Sequence, residues 1–371
     1  MYIIDFIKNE PNWREVLAAA PYCLTIREDD DLVLFKYSQQ KSDFFSPIVK
    51  EARGLILEKG TWKIIRHSFD KFFNFGEPAA AQINWKSKHL NVTEKMDGTL
   101  ISLYWYKGEW RMATNANLSA YSSPLEVGGY NTFGDLAAAA LKTEGLVYER
   151  LNKDYTWTFE ICSPFNQVVC RYDKLCAFLI GIRVNETGKE INPLLYSEKI
   201  GVPVAKSWQV TGLEDCEKIV ESLTDNQEGI VVWDMEAGTR LKMKTENYFE
   251  LHYLASNHNL STRRIYDLIL KNDTDEFLTY FPAYKPTFEN CRKILKDRKN
   301  YYLHLNEKVN KWKNDNPAAT RKEFLSWATT QLGWKEYSSI FWLAYDGKLF
   351  DQMDNIEDVH QLMRFYQLYQ L

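Results

Sequence analysis

The spacing of apolar residues changes character once along this chain, near residue 248. Before that point the sequence is built from short runs such as "LVLFKY", "GLILEKG", "TLISLYWY", "YTWTFEI", "FLIGIRV" and "GIVVWD", each bounded by turn residues. Runs of this length, rich in Val, Ile, Tyr, Phe and Trp, predict β-strands. One stretch between them, "FGDLAAAALKTEGLVYERL", carries Ala and Leu at helical spacing and predicts a helix. After 248 the β-rich runs stop. Phe324, Trp327 and Ala328 fall at i, i+3, i+4, as do Ile340, Leu343 and Ala344, and Leu362, Phe365, Tyr366 and Tyr369 extend the pattern to i+7. The expected fold class is α+β. An antiparallel-sheet domain over residues 1–247 is followed by an all-helical C-terminal domain over 248–371. The 371 residues suffice for two such cores.

The net charge is −4, so contact with nucleic acid would fall to local patches rather than to overall charge. One such patch lies between Arg292 and Lys313. There Arg292, Lys293, Lys296, Arg298, Lys299, Lys308, Lys311 and Lys313 face only Asp297 and Glu307, with Tyr301 and Tyr302 among them. It reads either as a solvated helix face or as a surface that tracks phosphates. The 12 Trp, 22 Tyr and 20 Phe suit base stacking and a large core equally. The six cysteines lack C-x-x-C spacing and read as reduced thiols rather than zinc ligands. No apolar run is long enough to cross a membrane, and "MYIIDFIKNEPNW" lacks a basic leader segment. A soluble cytoplasmic monomer is expected.

The chemistry centres on "NVTEKMDGTL", residues 91–100. Its K-x-D-G element reads as a surface hairpin with an Asp-Gly turn, or as a lysine nucleophile, Lys95. By average residue usage the element arises by chance in about one chain in ten of this length, so alone it decides nothing. A nucleophilic lysine must be neutral, whereas a free lysine titrates near about 10.4. Attack on a nucleoside triphosphate further requires cations for the phosphates and a carboxylate-held metal. The rest of the β-rich portion supplies candidates. Lys242 and Lys244 alternate along "RLKMK" and project to one face of a strand. Glu228 leads into "GIVVW", and Glu160 interrupts the apolar strand "YTWTFEI". Arg53 opens "RGLIL", and Lys71, Phe73 and Asn74 precede a Gly-Glu-Pro turn. Each has a bland alternative as an exposed strand lysine, a turn residue or a core segment end.

Their order is more informative. Arg53, Lys71, Lys95–Asp97–Gly98, Phe159–Glu160, Glu228–Gly229 and Lys242–Lys244 together resemble the motifs of the covalent nucleotidyltransferase superfamily of polynucleotide ligases and mRNA capping enzymes. "EARGLIL", "KFFNFGEP", "IRVNETGKEI" and "LKMKTENYFELH" are similar to segments of one branch, the phage-type RNA ligase 1 family. The resemblance covers roughly residues 30–260. It implies a nucleotidyltransferase (ATP-grasp-like ligase) fold and ATP-dependent joining of RNA 5′-phosphate and 3′-hydroxyl ends, as in a broken tRNA. The implied route runs through a lysyl-N–AMP enzyme and an RNA-adenylate. Lys95 would be the nucleophile, within a catalytic set that also holds Asp97, Gly98, Lys242 and Lys244. Glu160 would hold the ribose, and Glu228 the metal (Mg²⁺ or Mn²⁺). Lys242 and Lys244 would neutralise the α-phosphate. Arg53, Lys71, Phe73 and Glu94 would complete the ATP site. A separate end-healing kinase/phosphatase would supply suitable ends, and the helical domain would be an RNA-specificity module.

One departure stands out. Where this family carries a basic residue in the strand after its lysine motif, this chain has Asn115, with Arg111 nearby as a substitute. An amide can bond a phosphate but cannot neutralise it. A DNA ligase or capping-type guanylyltransferase is the alternative enzyme, although the helical tail lacks the five-strand pattern of an OB domain. A non-catalytic RNA-binding protein on the same scaffold is the alternative of another class.

Overall fold

The short apolar runs become strands that build three sheets and a hairpin. In chain order these are β1 (Thr25–Glu28), β2 (Leu32–Lys36), β3 (Arg53–Glu58), β4 (Ile64–Arg66), β5 (Phe73–Asn74), β6 (Leu90–Lys95), β7 (Thr99–Tyr106) and β8 (Glu109–Ala113). They continue as β9 (Pro124–Val127), β10 (Tyr130–Thr132), β11 (Tyr155–Cys162), β12 (Cys176–Val184), β13 (Glu190–Ile191), β14 (Ser207–Trp208), β15 (Gly229–Asp234) and β16 (Thr239–Lys244). This computed structural model describes the whole chain except residues 167–168, 225, 246–247, 249–259, 332 and 369–371. It falls into two units, Met1–Ser256 and Asn257–Leu371.

In the first unit β1–β4 form one sheet in sequence order. The other two large sheets run β13-β12-β11-β7-β8 and β14-β6-β15-β16-β5. Pairing is antiparallel except for β5, which lies parallel to β16. The expectation of antiparallel sheets therefore needs one correction. The two-residue strand Phe73–Asn74 is too short to signal its direction, which is set by where the preceding loop delivers it.

The sheets are packed into the core, and the β1–β4 sheet is buried on both faces, with Val33, Phe35, Leu55 and Leu57 on one side and Leu32, Leu34 and Ile56 on the other. Helix Phe133–Glu144 lays Leu136, Ala137, Ala140 and Leu141 on Trp157, Phe159 and Leu179. It starts at a capping box between Thr132 and Asp135 and stops at Gly145, whose φ of 84° no continuing helix can adopt. It is thus shorter than its apolar spacing suggested, and Tyr148–Arg150 forms only a 3₁₀ turn. Five more α-helices are described among the strands. Tyr2–Asn9 and Trp13–Ala18 bury Ile3, Ile7, Trp13 and Leu17 against Val33, Phe35 and Leu55. Pro47–Glu51 and Leu213–Ser222 are the clearest of the others. All five hold too few turns to produce a sustained helical period.

The segment "IRVNETGKEI" is an anchor. Asn185 accepts from Thr156 Oγ1 at 2.6 Å and donates to the Ile65 carbonyl at 3.0 Å, tying β12 to β11 and β4.

The second unit is helical throughout its described regular structure. Helix Lys285–Asp315 has 31 residues, a length of about 46 Å. It carries the whole basic run, and Tyr302, Leu305 and Val309 are its buried seam. Tyr302 stacks on Tyr366, and its hydroxyl donates to the Phe365 carbonyl at 2.7 Å. Phe324, Ala328, Ile340, Ala344, Leu362 and Tyr366 are buried as their spacing predicts, whereas Trp327, Leu343 and Phe365 are half-buried. Tyr369 lies outside the described residues. Among the described residues, no helix is long and apolar enough to cross a membrane.

Candidate active site

Strand register assembles the site. β15 lies between β6 and β16, and Gly229 at its start is opposite Lys95 on one side and Lys244 on the other. A side chain at 229 would collide with the Met243 carbonyl and approach Lys244 Cα to 2.7 Å, so only glycine lets these strands close. Glu228, one residue earlier and 3% exposed, reaches both lysines. Its Oε2 is 2.5 Å from Lys95 Nζ and its Oε1 is 3.2 Å from Lys244 Nζ. Burial alone would raise the Glu228 carboxyl, but Lys95, Lys244 and Lys242 hold it below the usual carboxylate range. Lys242 shares the strand face of Lys244 by alternation and sits opposite Val231 and Asn74.

After Lys95 the chain turns through Met96–Gly98 into β7. Gly98 lies against β11: a Cβ here would strike the Ile161 carbonyl and come within 2.8 Å of Cys162 Sγ. Its N–H donates to Glu160 Oε1 at 3.2 Å. Burial, reinforced by Glu228 and opposed by Lys95 and Arg53, pushes the Glu160 carboxyl up to about 7. Asp97 turns away from the cavity. Its Oδ2 accepts the Val169 and Cys170 N–H groups at 2.8 and 2.7 Å, and its Oδ1 accepts the Tyr248 hydroxyl at 3.2 Å. In this geometry the aspartate of K-x-D-G fastens the turn that aims Lys95.

Lys95, Glu94, Gly98, Glu160, Arg53 and Asn115 line a cavity of about 360 Å³, and Phe72, Leu179, Val231 and Trp233 form its apolar walls. That volume and mixture suit a nucleotide-sized ligand with a base, a sugar and an anionic tail. Arg53 crosses the rings of Phe69 and Phe72, and its buried Nη1 has no hydrogen-bond partner. Lys71 and Phe73 line a neighbouring cavity of about 230 Å³ that shares Phe69, Phe72 and Arg240 with the first. Lys71 Nζ lies 5.3–5.4 Å from the centres of the Tyr37, Phe44 and Phe73 rings. Burial would raise the Tyr37 phenol, but Lys71 and Arg53 converge on it and hold it below its ordinary value. Phe73 is buried beneath Lys71 and does not reach the larger cavity.

Among the described residues no group of three or more His, Cys, Asp or Glu side chains is placed to hold a metal. Of the two neighbouring carboxylates, Glu160 lines the cavity, while Glu228 is outside its lining and is joined to it through the ion pair with Lys95. Carboxylates so placed suit a divalent cation, which is commonly held by one or two of them together with substrate phosphates.

Sequence reasoning missed Trp233, Arg240, Tyr248 and Arg66. Arg240 precedes the K-x-K pair by two residues and so shares its strand face, which was a usable signal. It stacks between Phe69 and Trp233. Tyr248 lies under Lys244 Nζ, 4.9 Å from the ring centre. Arg111 does not substitute for the cation absent at Asn115: it pairs with Glu109 at 2.9 Å and lies over Tyr106.

Comparison with known proteins bears on this arrangement. The profile of a family described as RNA ligase matches residues 51–253, more than half of the chain. A protein of Autographa californica nuclear polyhedrosis virus, named as a bifunctional polynucleotide kinase/RNA ligase, is 30% identical over 69% of this chain. The match spans only 38% of that protein's length. The RNA ligase of Rhodothermus phage RM378 is 28% identical, covering 79% of this chain and 81% of that one. Among solved structures, an archaeal ATP-dependent RNA ligase overlaps with a TM-score of 0.48 at 13% identity, covering 95% of this chain and 81% of that one.

Proposed function

Because this chain belongs to the RNA ligase family, we propose that it is an ATP-dependent ligase that joins RNA 5′-phosphate to RNA 3′-hydroxyl ends. The observation that carries the reading is Lys95, lining a nucleotide-sized cavity with Glu160 and ion-paired to Glu228, which also holds Lys244. In its amine form, Lys95 Nζ attacks the α-phosphorus of ATP. The new P–N bond forms as the P–O bond to pyrophosphate breaks, and the amine proton leaves. Lys244 and Lys242 stabilise charge that develops on the α-phosphate. Glu160 accepts from the ribose hydroxyls, Glu94 belongs to the nucleotide-binding wall, and Arg53 and Lys71 take the phosphate chain. A divalent cation, Mg²⁺ or Mn²⁺, would be held by Glu228 and would neutralise phosphate charge.

The AMP group then passes to the RNA 5′-phosphate, with cleavage of the P–N bond. Attack by the 3′-hydroxyl forms the phosphodiester and expels AMP. The first unit supplies this nucleotidyltransferase chemistry, and the helical unit would select the RNA, for example a cleaved tRNA. Ends bearing 5′-hydroxyl or 3′-phosphate groups would need a kinase/phosphatase first. The baculovirus relative's name joins a polynucleotide kinase to an RNA ligase.

The test is end joining of a 5′-phosphorylated RNA oligonucleotide with Mg²⁺ and ATP, beside reactions with GTP and with nicked DNA. Circular or joined RNA formed with ATP alone supports the reading. Preferential sealing of nicked DNA, or use of GTP, would overturn it.

A further inference from the structure

Asn115 lines the cavity without a charge, yet a cation stands directly behind it. Arg66, at the end of β4, is fully buried. Its guanidinium donates to the Gly54 carbonyl, to Ser102 Oγ at 3.0 Å and to Asn115 Oδ1 at 3.0 Å. A guanidinium has donors only, so the amide oxygen of Asn115 must face Arg66. The Asn115 NH₂ is then the end left for the cavity. Gly54 makes the contact possible. It is the extra residue where the β2–β3 register shifts, with φ of 75°. A Cβ there would collide with the Arg66 guanidinium and come within 2.7 Å of Asn115 Cα. Burial, reinforced by neighbouring Arg53, pushes the Arg66 guanidinium down to about 9, so it remains charged at neutral pH. Among the described residues no acidic side chain forms a salt bridge or hydrogen bond with it, and its buried Nε has no hydrogen-bond partner. Its charge is therefore not cancelled locally by an ion pair of its own.

Resting on the ligase reading, we infer that Arg66 is a positioning residue that fixes and polarises the Asn115 amide, so that Asn115 donates to an anionic oxygen of the ATP phosphate chain. Together the two replace a cation on the cavity wall. Arg66 comes from β4, ahead of the lysine motif, while Asn115 follows β8. The compensating charge is thus remote in sequence from the position it serves.

Asn115→Asp separates this role from a structural one. The substitution keeps volume and keeps an oxygen for Arg66, so folding is retained and thermal stability stays at or above the wild-type value. It turns a second carboxylate oxygen, in place of the NH₂, toward the cavity. The expected result is a KM for ATP in enzyme–AMP formation raised at least tenfold, while adenosine binding by calorimetry changes less than twofold. Arg66→Met should raise the same KM, and adding Asn115→Lys to it should restore ATP use by placing the cation on the wall itself. If Arg66→Met does not fold, Asn115→Asp decides alone. An Asn115→Asp protein with wild-type KM for ATP, or one that loses adenosine and ATP affinity equally, would overturn the inference. Wild-type protein that takes no AMP from ATP would instead remove the ligase reading beneath it.

Discussion

At the scale of single residues, a bound nucleotide would redistribute the charges that set the site's titration. Glu160 shows this most directly. Its carboxyl is raised to about 7, chiefly by burial, so between the ordinary carboxylate range and pH 7 the folded protein holds a proton that the unfolded chain has released. That group's contribution to stability therefore falls as pH rises through this window and is constant above it. If Glu160 holds the ribose as proposed, its ionised form is the better acceptor for two hydroxyls, and ATP affinity should rise from pH 6 to 7.5 and then level. Glu160→Gln should flatten the profile, which titration calorimetry at several pH values would check. Asp97 has a different task. Asp97→Ala leaves two backbone N–H groups and the Tyr248 hydroxyl without their acceptor, so a loss of about 3 kcal/mol in urea unfolding is expected. A stability near wild type would mean that Asp97 acts chiefly on the substrate. Lys95, Glu160, Glu228 and Lys244, which the structure brings together, stood out in the sequence because their motifs are local. The anchoring task of Asp97 and the contact between Arg66 and Asn115 were not, since both depend on partners about fifty to one hundred and fifty residues away.

At the scale of elements, two glycines set how closely strands approach around the nucleophile. Gly98 rests on the backbone of β11 and Gly229 on that of β16. Gly229→Ala should separate Glu228 from one of its two lysines. AMP transfer should fall by at least a hundredfold, with a smaller change in ATP binding, as single-turnover kinetics would measure. An unchanged rate would mean that the register around Gly229 is not what aligns the cluster. The strand-rich character of the first unit was readable from short runs of β-branched and aromatic residues bounded by turn residues. The parallel strand Phe73–Asn74 and the short N-terminal helices were not, because elements of two to eight residues carry too little periodicity and are fixed by the surfaces they cover.

At the scale of the whole molecule, the proposed function gives the two units separable tasks. The basic run on helix Lys285–Asp315 divides on inspection. Lys313 donates to the Tyr345 carbonyl and Arg298 lies over Tyr337, whereas Arg292, Lys293, Lys296, Lys299 and Lys311 are exposed. Replacing Lys293, Lys296 and Lys299 by Glu should weaken RNA binding and lower the slope of log affinity against log salt by about 2. Adenylylation without RNA should not change. An unaltered salt slope would assign this face to solvent. The claim on which all of this rests is that Lys95 becomes covalently joined to AMP. The most direct measurement is the intact mass of nucleotide-free protein after incubation with Mg²⁺ and ATP, with and without acid treatment. The account predicts a gain of one AMP that acid removes and that neither Lys95→Ala nor Lys95→Arg acquires. A Lys95→Ala protein that still gains AMP, or a nucleotide-free wild type that gains nothing, would contradict it.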